Sequence, residues 1–459
     1  MNDDILADSG KFERAYLIGV HHPQTTRHEV EEHLDELEAL VETMGAVTVG
    51  REIVRVGQLN AKFLIGAGKI EEIKTWSEAV ETDLIVVDDD LTPPQQASWE
   101  KSTKKAVIDR RKVILDIFAQ RAMTREARLQ TQLATLQYML PRLKRAWTHL
   151  ERQRGGGGFV GGAGEAQIET DRRIVRDRIA KLRGELKEVR ATRAHQRKSR
   201  RQRPVPNAAI VGYTNSGKSS LLNTLTKANV LQEDKLFATL DPTTRKVQLP
   251  NNQPLLLTDT VGFIRKLPTT LVEAFKATLE EAELADYLVH VADVSHPQVH
   301  EHIQTTNKVL QELNALDKPT LLVLNKCDLL EQDWGILGSF EDYADKIVLT
   351  SATQGIGLEE LAQHLASFLA DSLRDVYLSI PATRYDLISE VHREAQVLEK
   401  HFDDDNNVLI HASFPNRFYH RVQEFVVPKW ELVTDLPDLE MNEFVVEELA
   451  ENALEIAEQ

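Results

Sequence analysis

Eight residues constrain this chain more than any other feature: Gly212-Tyr213-Thr214-Asn215-Ser216-Gly217-Lys218-Ser219. They stand between an apolar run, Ala208 to Val211, and the segment Leu221-Leu-Asn-Thr-Leu. A strand that passes through a glycine-bounded loop into a helix is the setting a phosphate-binding loop requires. Gly212 and Gly217 let the backbone curl until the N–H groups between Tyr213 and Ser220 face phosphate oxygens, and the positive end of the next helix adds to the attraction. Lys218 then reaches the β- and γ-phosphates, and the Ser219 hydroxyl is placed to hold Mg²⁺. The expected fold class is α/β, with a mainly parallel sheet covered by helices on both faces.

Segments downstream of the loop select the nucleotide. Pro254 to Leu257 leads into Thr258-Asp259-Thr-Val-Gly262-Phe263, a strand ending in an aspartate able to hold Mg²⁺ through water, then a glycine whose N–H can meet the γ-phosphate. A second apolar strand, Leu321 to Leu324, ends in Asn325-Lys326-Cys327-Asp328. The Asp328 carboxylate can accept from N1–H and N2–H₂ of guanine, whereas adenine would leave it unpaired. Thr350-Ser351-Ala352, after the strand Lys346 to Leu349, offers a backbone N–H to guanine O6. In this order the motifs imply GTP and GDP as ligands, Mg²⁺ as cofactor and GTP hydrolysis as the reaction, with Lys218 and Gly262 at the γ-phosphate. Many GTPases place a water-orienting glutamine after that glycine. Here the position is Phe263, expected to pack outward as a hydrophobic anchor. Hydrolysis should therefore be slow in isolation, with an external surface organising Phe237 to Arg245 and Gly262 to Lys266. The Asn215 carboxamide has two readings, a ligand for K⁺ bridging the phosphates or a hydrogen bond within the loop.

The formal net charge is −17, yet Asp171 to Arg203 holds 14 Lys/Arg against 4 Asp/Glu. So local an excess of positive charge in an acidic chain has two readings, the footprint of a phosphate-rich partner, which is expected here to be RNA, or a solvated helix face. Leu129, Leu133, Leu136, Leu140, Leu143 and Trp147 recur at alternating spacings of four and three, as do Val175, Ile179, Leu182, Leu186 and Val189. Two such seams should pack as an antiparallel hairpin, kinked at Pro141. Between them lies the tract Gly155 to Gly164, either a flexible connector or a probe that orders on RNA with Phe159 stacking on a base.

Ahead of the hairpin, strands are expected at Tyr16 to Val20, Ala46 to Gly50, Leu84 to Asp88 and Val113 to Phe118, with a helix at Arg27 to Met44. The alternation implies a small parallel α/β domain. Gly66-Ala-Gly68-Lys69 reads as a turn before a helix, because Lys69 is followed by Ile. Asp88-Asp89-Asp90 reads as a solvated acidic run. Past the GTPase core, Leu373 to Ile380 should be a strand, Tyr385 to His401 a helix and Asn407 to Ala412 a strand. The expected domains are 1–120, 121–203, 204–371 and 372–459, the last a small α/β or α+β appendage with an acidic tail.

Together with these motifs, Phe237-Ala-Thr239-Leu-Asp-Pro-Thr-Thr-Arg245, the glycine tract and Ile65-Gly-Ala-Gly-Lys69-Ile-Glu-Glu-Ile73 resemble the HflX family of ribosome-associated, ribosome-splitting GTPases. The resemblance spans roughly residues 15 to 370. It implies that Thr239 is the switch threonine that joins Mg²⁺ and senses the γ-phosphate, with Thr243 and Thr244 as rivals. It also implies Phe237 beside the nucleotide, the large ribosomal subunit and its RNA as partner, and ribosome-stimulated hydrolysis that dissociates or rescues ribosomes. A monomer is expected, with no DNA partner. The single cysteine excludes an intramolecular disulfide framework, and the polar start and lack of a long apolar stretch argue against a signal peptide or stable membrane insertion. The implied location is the cytoplasm, with peripheral membrane association left open. The competing class is a regulatory GTPase switch acting on a protein or membrane partner, with the hairpin only a scaffold.

Overall fold

The computed structural model describes residues 13–143, 163–201, 205–226, 236–250, 254–266, 279–330, 338–344, 346–403 and 407–429. They divide into two compact units, Met1–Leu369 and Ala370–Gln459.

The first unit begins with a four-stranded parallel sheet built from β1 (Arg14–His21), β2 (Val47–Arg55), β3 (Leu84–Val87) and β4 (Ala106–Asp109), in the order β2-β1-β3-β4. Between the strands run α1 (Arg27–Met44), α2 (Ala67–Ala79) and α3 (Pro93–Thr103). Local chemistry fixes the boundaries of α1. The Thr26 hydroxyl accepts from the Glu29 N–H while the Glu29 carboxylate accepts from the Thr26 N–H, and Gly45 ends the helix at φ +103°. Gly66 precedes α2 as the N-cap, and Lys69 pairs with Glu52 and Glu72, each at 2.6 Å.

Val113 to Phe118 is not a strand. It is the middle of α4 (Arg110–Arg121), and the strand is the shorter β4 just before it. An apolar run of this length fits either structure. Asp109 decides between them, its carboxylate accepting from the Lys112 N–H at 3.1 Å as an N-cap.

Next come α5 (Arg125–Met139) and α6 (Ala163–Arg201). The two seams read from the sequence meet: Leu129, Leu136, Leu143, Val175, Ile179, Leu182 and Leu186 are buried together, with Leu133, Leu140 and Val189 at the margin. Each buried aliphatic side chain contributes roughly 1.5–3 kcal/mol, so the seam holds the pair. At Pro141 the chain leaves α5 through a 3-10 turn, Leu140–Arg142. Trp147, Phe159 and the glycine tract up to Gly162 lie outside the described residues. So do the side chains of Arg190, Arg193, Arg197, Lys198, Arg200 and Arg201.

The six-stranded sheet has the order β10-β9-β8-β5-β7-β6, all parallel except β6. Its strands are β5 (Asn207–Val211), β6 (Thr243–Gln248), β7 (Pro254–Asp259), β8 (Tyr287–Asp293), β9 (Thr320–Asn325) and β10 (Lys346–Leu349), and its helices α7 (Lys218–Thr226), α8 (Val299–Glu312) and α9 (Leu358–Ser372).

The second unit carries an antiparallel sheet, β12-β13-β11-β14, from β11 (Leu373–Pro381), β12 (Gln396–Phe402), β13 (Asn407–Pro415) and β14 (Val426–Val427), with α10 (Tyr385–Glu394) and α11 (Asn416–Val422). The helix expected to reach His401 stops at Glu394, because Glu399 and His401 pair with His411 and Leu409 of β13. Cross-strand pairing outweighs the helical leaning of Leu-Glu-Lys. The acidic tail lies outside the described residues.

Candidate active site

The loop between β5 and α7 is closed from both sides. Gly212 sits at φ +147° where a Cβ would fall 2.1 Å from the Val291 carbonyl oxygen, and Gly217 at φ +91° where it would fall 2.2 Å from Asn325 Nδ2. Neither position admits a side chain. The segment after Gly262 runs alongside this loop: Thr214 N–H donates to the Phe263 carbonyl at 2.7 Å, and Phe263 N–H to the Gly212 carbonyl at 3.0 Å. Phe263 is 1% exposed and packs in the cluster that holds Tyr213, Leu236 and Phe237. This corrects the outward-facing anchor expected from sequence. The two backbone bonds turn the ring inward, so it staples the segment beside Gly262 to the loop. A Cβ at Gly262 would lie 2.8 Å from Thr214 Cα and 2.9 Å from Lys218 Nζ, so only glycine allows this backbone to approach the lysine.

Lys218 Nζ donates to the Tyr213 carbonyl at 2.6 Å, and burial draws its pKa down to about 8. Beside it three oxygens converge. Ser219 Oγ lies 2.8 Å from Thr239 Oγ1, and both hydroxyls donate to Asp259 Oδ2, at 2.6 and 2.9 Å. Thr239 is thus the threonine whose hydroxyl meets Ser219 and Asp259. Thr244 instead meets Thr258 at 3.0 Å within the β6–β7 pair. Asp259 Oδ1 is buried with no partner among the described residues, and burial pushes this carboxyl upward in pKa. Two hydroxyls, one carboxylate and an unused carboxylate oxygen are a donor set that fits Mg²⁺. A cavity of about 280 Å³ opens here, lined by Lys218, Ser219, Thr239, Asp259 and Gly262 among others, with Asn215, Ser220 and Phe237 also on its wall.

On the base side, Asn325 acts as a tie. Its Nδ2 donates to the Ser216 carbonyl at 2.9 Å, and its Oδ1 accepts from the Ala352 N–H at 3.0 Å and from Thr350 Oγ1 at 3.2 Å. The Ser351 N–H donates to the Ile356 carbonyl at 3.1 Å. The N–H groups expected to meet guanine O6 are therefore directed at protein acceptors, because the turn after β10 closes on itself and on Asn325. Lys326, at φ +63°, pairs with Asp293 at 2.7 Å. Asp328 is exposed on the following turn.

Sequence reasoning missed a second set of residues. Asp88 is not solvated: it is 3% exposed, and its oxygens pair with Arg110 and Arg265, each at 2.9 Å. Glu36 pairs with Arg110 and accepts from the Tyr213 hydroxyl, which in turn accepts from the Arg265 N–H at 2.8 Å. Lys266 reaches Asp89 at 2.5 Å and the Asp88 carbonyl at 2.9 Å. Burial raises the pKa of Asp88 and Glu36, but the neighbouring guanidiniums outweigh it and hold both carboxyls below their ordinary range. On the other side of the cavity, Asp241 accepts from the N–H groups of Met123 (3.1 Å) and Thr124 (3.0 Å) and from the Thr124 hydroxyl, while Phe237 meets Phe118 edge-on at 4.6 Å. The available signal was three aspartates at the carboxyl end of β3, the place in an open parallel sheet where ligands gather.

Three family models match within the first unit: GTP-binding GTPase N-terminal at residues 31–119, GTP-binding GTPase Middle Region at 121–200 and 50S ribosome-binding GTPase at 207–326. The GTPase HflX of Akkermansia muciniphila is 46% identical over 427 residues, covering 91% of this chain and 98% of its own length. That of Escherichia coli K12 is 40% identical over 406 residues, covering 88% and 94%. The chain belongs to the HflX family of GTPases. It is therefore a GTP-binding protein with GTP hydrolysis as its reaction. Among solved structures, a GTP-binding protein from Sulfolobus solfataricus in complex with GDP is 27% identical, with a TM-score of 0.44 over 78% of this chain and 99% of its own. None of the chain's described helices is long and apolar enough to cross a membrane.

Proposed function

We propose that this HflX-family chain is a GTP-driven factor of the large ribosomal subunit, which engages RNA through its hairpin and couples GTP binding and hydrolysis to separation or rescue of ribosomes. Lys218 bears on the β- and γ-phosphates, backbone N–H groups of the loop up to Ser220 surround them, apart from that of Thr214, which is held by Phe263, and the Gly262 N–H meets the γ-phosphate. Ser219 and Thr239 would hold Mg²⁺, with Asp259 behind them; the ion, when bound, neutralises charge on the β- and γ-oxygens. Asp328 reads the N1–H and N2–H₂ edge of guanine. Asn325 positions the loop at Ser216 and the turn at Ala352 rather than touching the base.

One observation carries the link from nucleotide to partner. Asp241, two residues past Thr239, holds the amino end of α5, the first helix of the hairpin whose second helix bears the basic block. A change at the γ-phosphate that shifts Thr239 therefore pulls on the arm that faces RNA. The family description, a 50S ribosome-binding GTPase, supports the choice of partner. The chain acts as a monomer in the cytoplasm on this reading.

The test is the single-turnover GTPase rate with and without purified large subunits, alongside cosedimentation at increasing salt. Stimulation by the subunit, with binding that weakens steeply as salt rises, is the expected result. A rate indifferent to ribosomal subunits would overturn the reading.

A further inference from the structure

We propose that Arg121, outside the P-loop core, supplies a second positive charge to the γ-phosphate of GTP in the same chain. Three observations lead there. Arg121 is the last residue of α4, yet it lines the same cavity as Lys218, Thr239 and Gly262. The corner just past it is locked to the switch segment: Asp241 accepts from Met123 N–H, Thr124 N–H and Thr124 Oγ1, and Phe118, one turn before Arg121, packs against Phe237. These contacts flank Thr239 on both sides, so the position of Arg121 is set by the segment that meets the γ-phosphate. Finally, Lys218 is the other cation among the described residues lining that cavity, and the residue after Gly262 is a buried phenylalanine.

Charge in phosphoryl transfer spreads over the three equatorial oxygens as the bond to the leaving group loosens. A lysine answers part of it as a point charge, whereas a planar guanidinium can donate to two oxygens at once. In the reaction a water oxygen bonds to the γ-phosphorus and the bond from phosphorus to the β–γ bridging oxygen breaks. The electron pair stays on GDP, and the water proton leaves with phosphate or to solvent. Arg121 remains protonated throughout, so its contribution is electrostatic. The plainer role for an arginine in the last turn of a helix is to offset the helix dipole, and the experiment separates the two.

Full-length Arg121→Ala and Arg121→Lys would be compared with the unmodified chain in single-turnover hydrolysis, in GDP affinity, and in formation of the GDP–aluminium fluoride complex. Lys218→Ala would serve as the control that loses nucleotide binding. Arg121→Ala is expected to slow hydrolysis by about 100-fold or more and to abolish the aluminium fluoride complex, while GDP affinity stays within about twofold of the unmodified chain because GDP has no γ-phosphate. The lysine variant should recover only a small part of the rate. Unchanged hydrolysis and an intact aluminium fluoride complex, with only a lower melting temperature, would overturn the proposal and leave Arg121 as a helix-end charge. Loss of GDP binding together with hydrolysis would overturn it too, since the assigned role is confined to the γ-phosphate. Should the alanine variant fail to fold, Arg121→Gln, close in length, carries the same test.

Discussion

Two sheets in this chain, one parallel and the other parallel except for β6, each open a crevice at the carboxyl ends of their parallel strands, where the chain leaves neighbouring strands in opposite directions. They fill it differently. In the six-stranded sheet the crevice beside β5 is the phosphate cavity, bounded by backbone N–H groups and glycines that exclude side chains. In the four-stranded sheet the crevice between β1 and β3 is filled from within the chain: Arg265 and Lys266, just past Gly262, lie against Asp88 and Asp89. One sheet is built to take a nucleotide, and the other to take the segment that reports on it. The segments proposed to meet the γ-phosphate are thus held by elements that precede the GTPase core, through Asp88 on one side and Thr124 on the other.

The largest effect that would break this comparison is at Arg110. It is 1% exposed and bridges Glu36 and Asp88, so Arg110→Ala leaves the buried Asp88 and the partly buried Glu36 with Arg265 as the guanidinium they still share. Removing one partner of a buried pair costs about 3–5 kcal/mol. Urea unfolding should show a loss of that order. A loss under about 1 kcal/mol would mean that the filled crevice is incidental.

Phe263 comes next, with an expected cost of about 3 kcal/mol, the lower part of the range for truncating a buried aromatic. Installing the glutamine common in other GTPases, Phe263→Gln, should destabilise the chain without raising its hydrolysis rate. The position is buried, and its backbone is committed to Gly212 and Thr214. A faster single-turnover rate in Phe263→Gln would show that this side chain does face the reacting water.

These two positions also mark what the sequence discloses. The P-loop, the strands around it and the hairpin seam were legible, because each is a local pattern: glycines at fixed offsets, or leucines at helical spacing that meet as expected. Phe263 and Asp88 were misread because their environment is set by residues far along the chain, Tyr213 and Arg265 respectively. An apolar residue after a glycine gives no sign of which way its ring turns. Three aspartates give no sign of the arginines that will cover them. The strand β12 and the helix α4 were misassigned for a related reason, since pairing with β13 and capping by Asp109 decided between states that propensity left balanced.

A smaller effect, about 1.4 kcal/mol per pH unit, belongs to Lys218. Its pKa in the folded chain lies near 8, below the ordinary 10.5, because burial disfavours its charge. Between those values the unfolded chain binds more protons, so this group's contribution to stability rises with pH. Nucleotide binding runs the other way. Phosphate favours the charged lysine, so the Kd for GTP should rise above pH 8 by up to about tenfold per unit. Lys218→Met should weaken binding at every pH and flatten that slope. A Kd that stays constant from pH 7 to 9.5 in the unmodified chain would contradict the buried lysine's role at the phosphates.

The smallest expected effect concerns Asn215 and sharpens the comparison at the rim of the nucleotide crevice. Asn215 is exposed at φ +60°, a conformation that asparagine tolerates better than most residues, and it lines the cavity beside Lys218. Its carboxamide has two readings, a ligand for a monovalent cation bridging the phosphates or a hydrogen bond within the loop, and the salt dependence of hydrolysis separates them. On the first, potassium in place of sodium should accelerate hydrolysis, by roughly the 1 kcal/mol typical of one polar contact, or about fivefold. Asn215→Ala should make the two salts equivalent while leaving GDP affinity in sodium unchanged. Equal rates in both salts for the unmodified chain, measured with large subunits present, would restrict Asn215 to shaping the loop through its left-handed backbone, and Asn215→Gly should then be nearly silent.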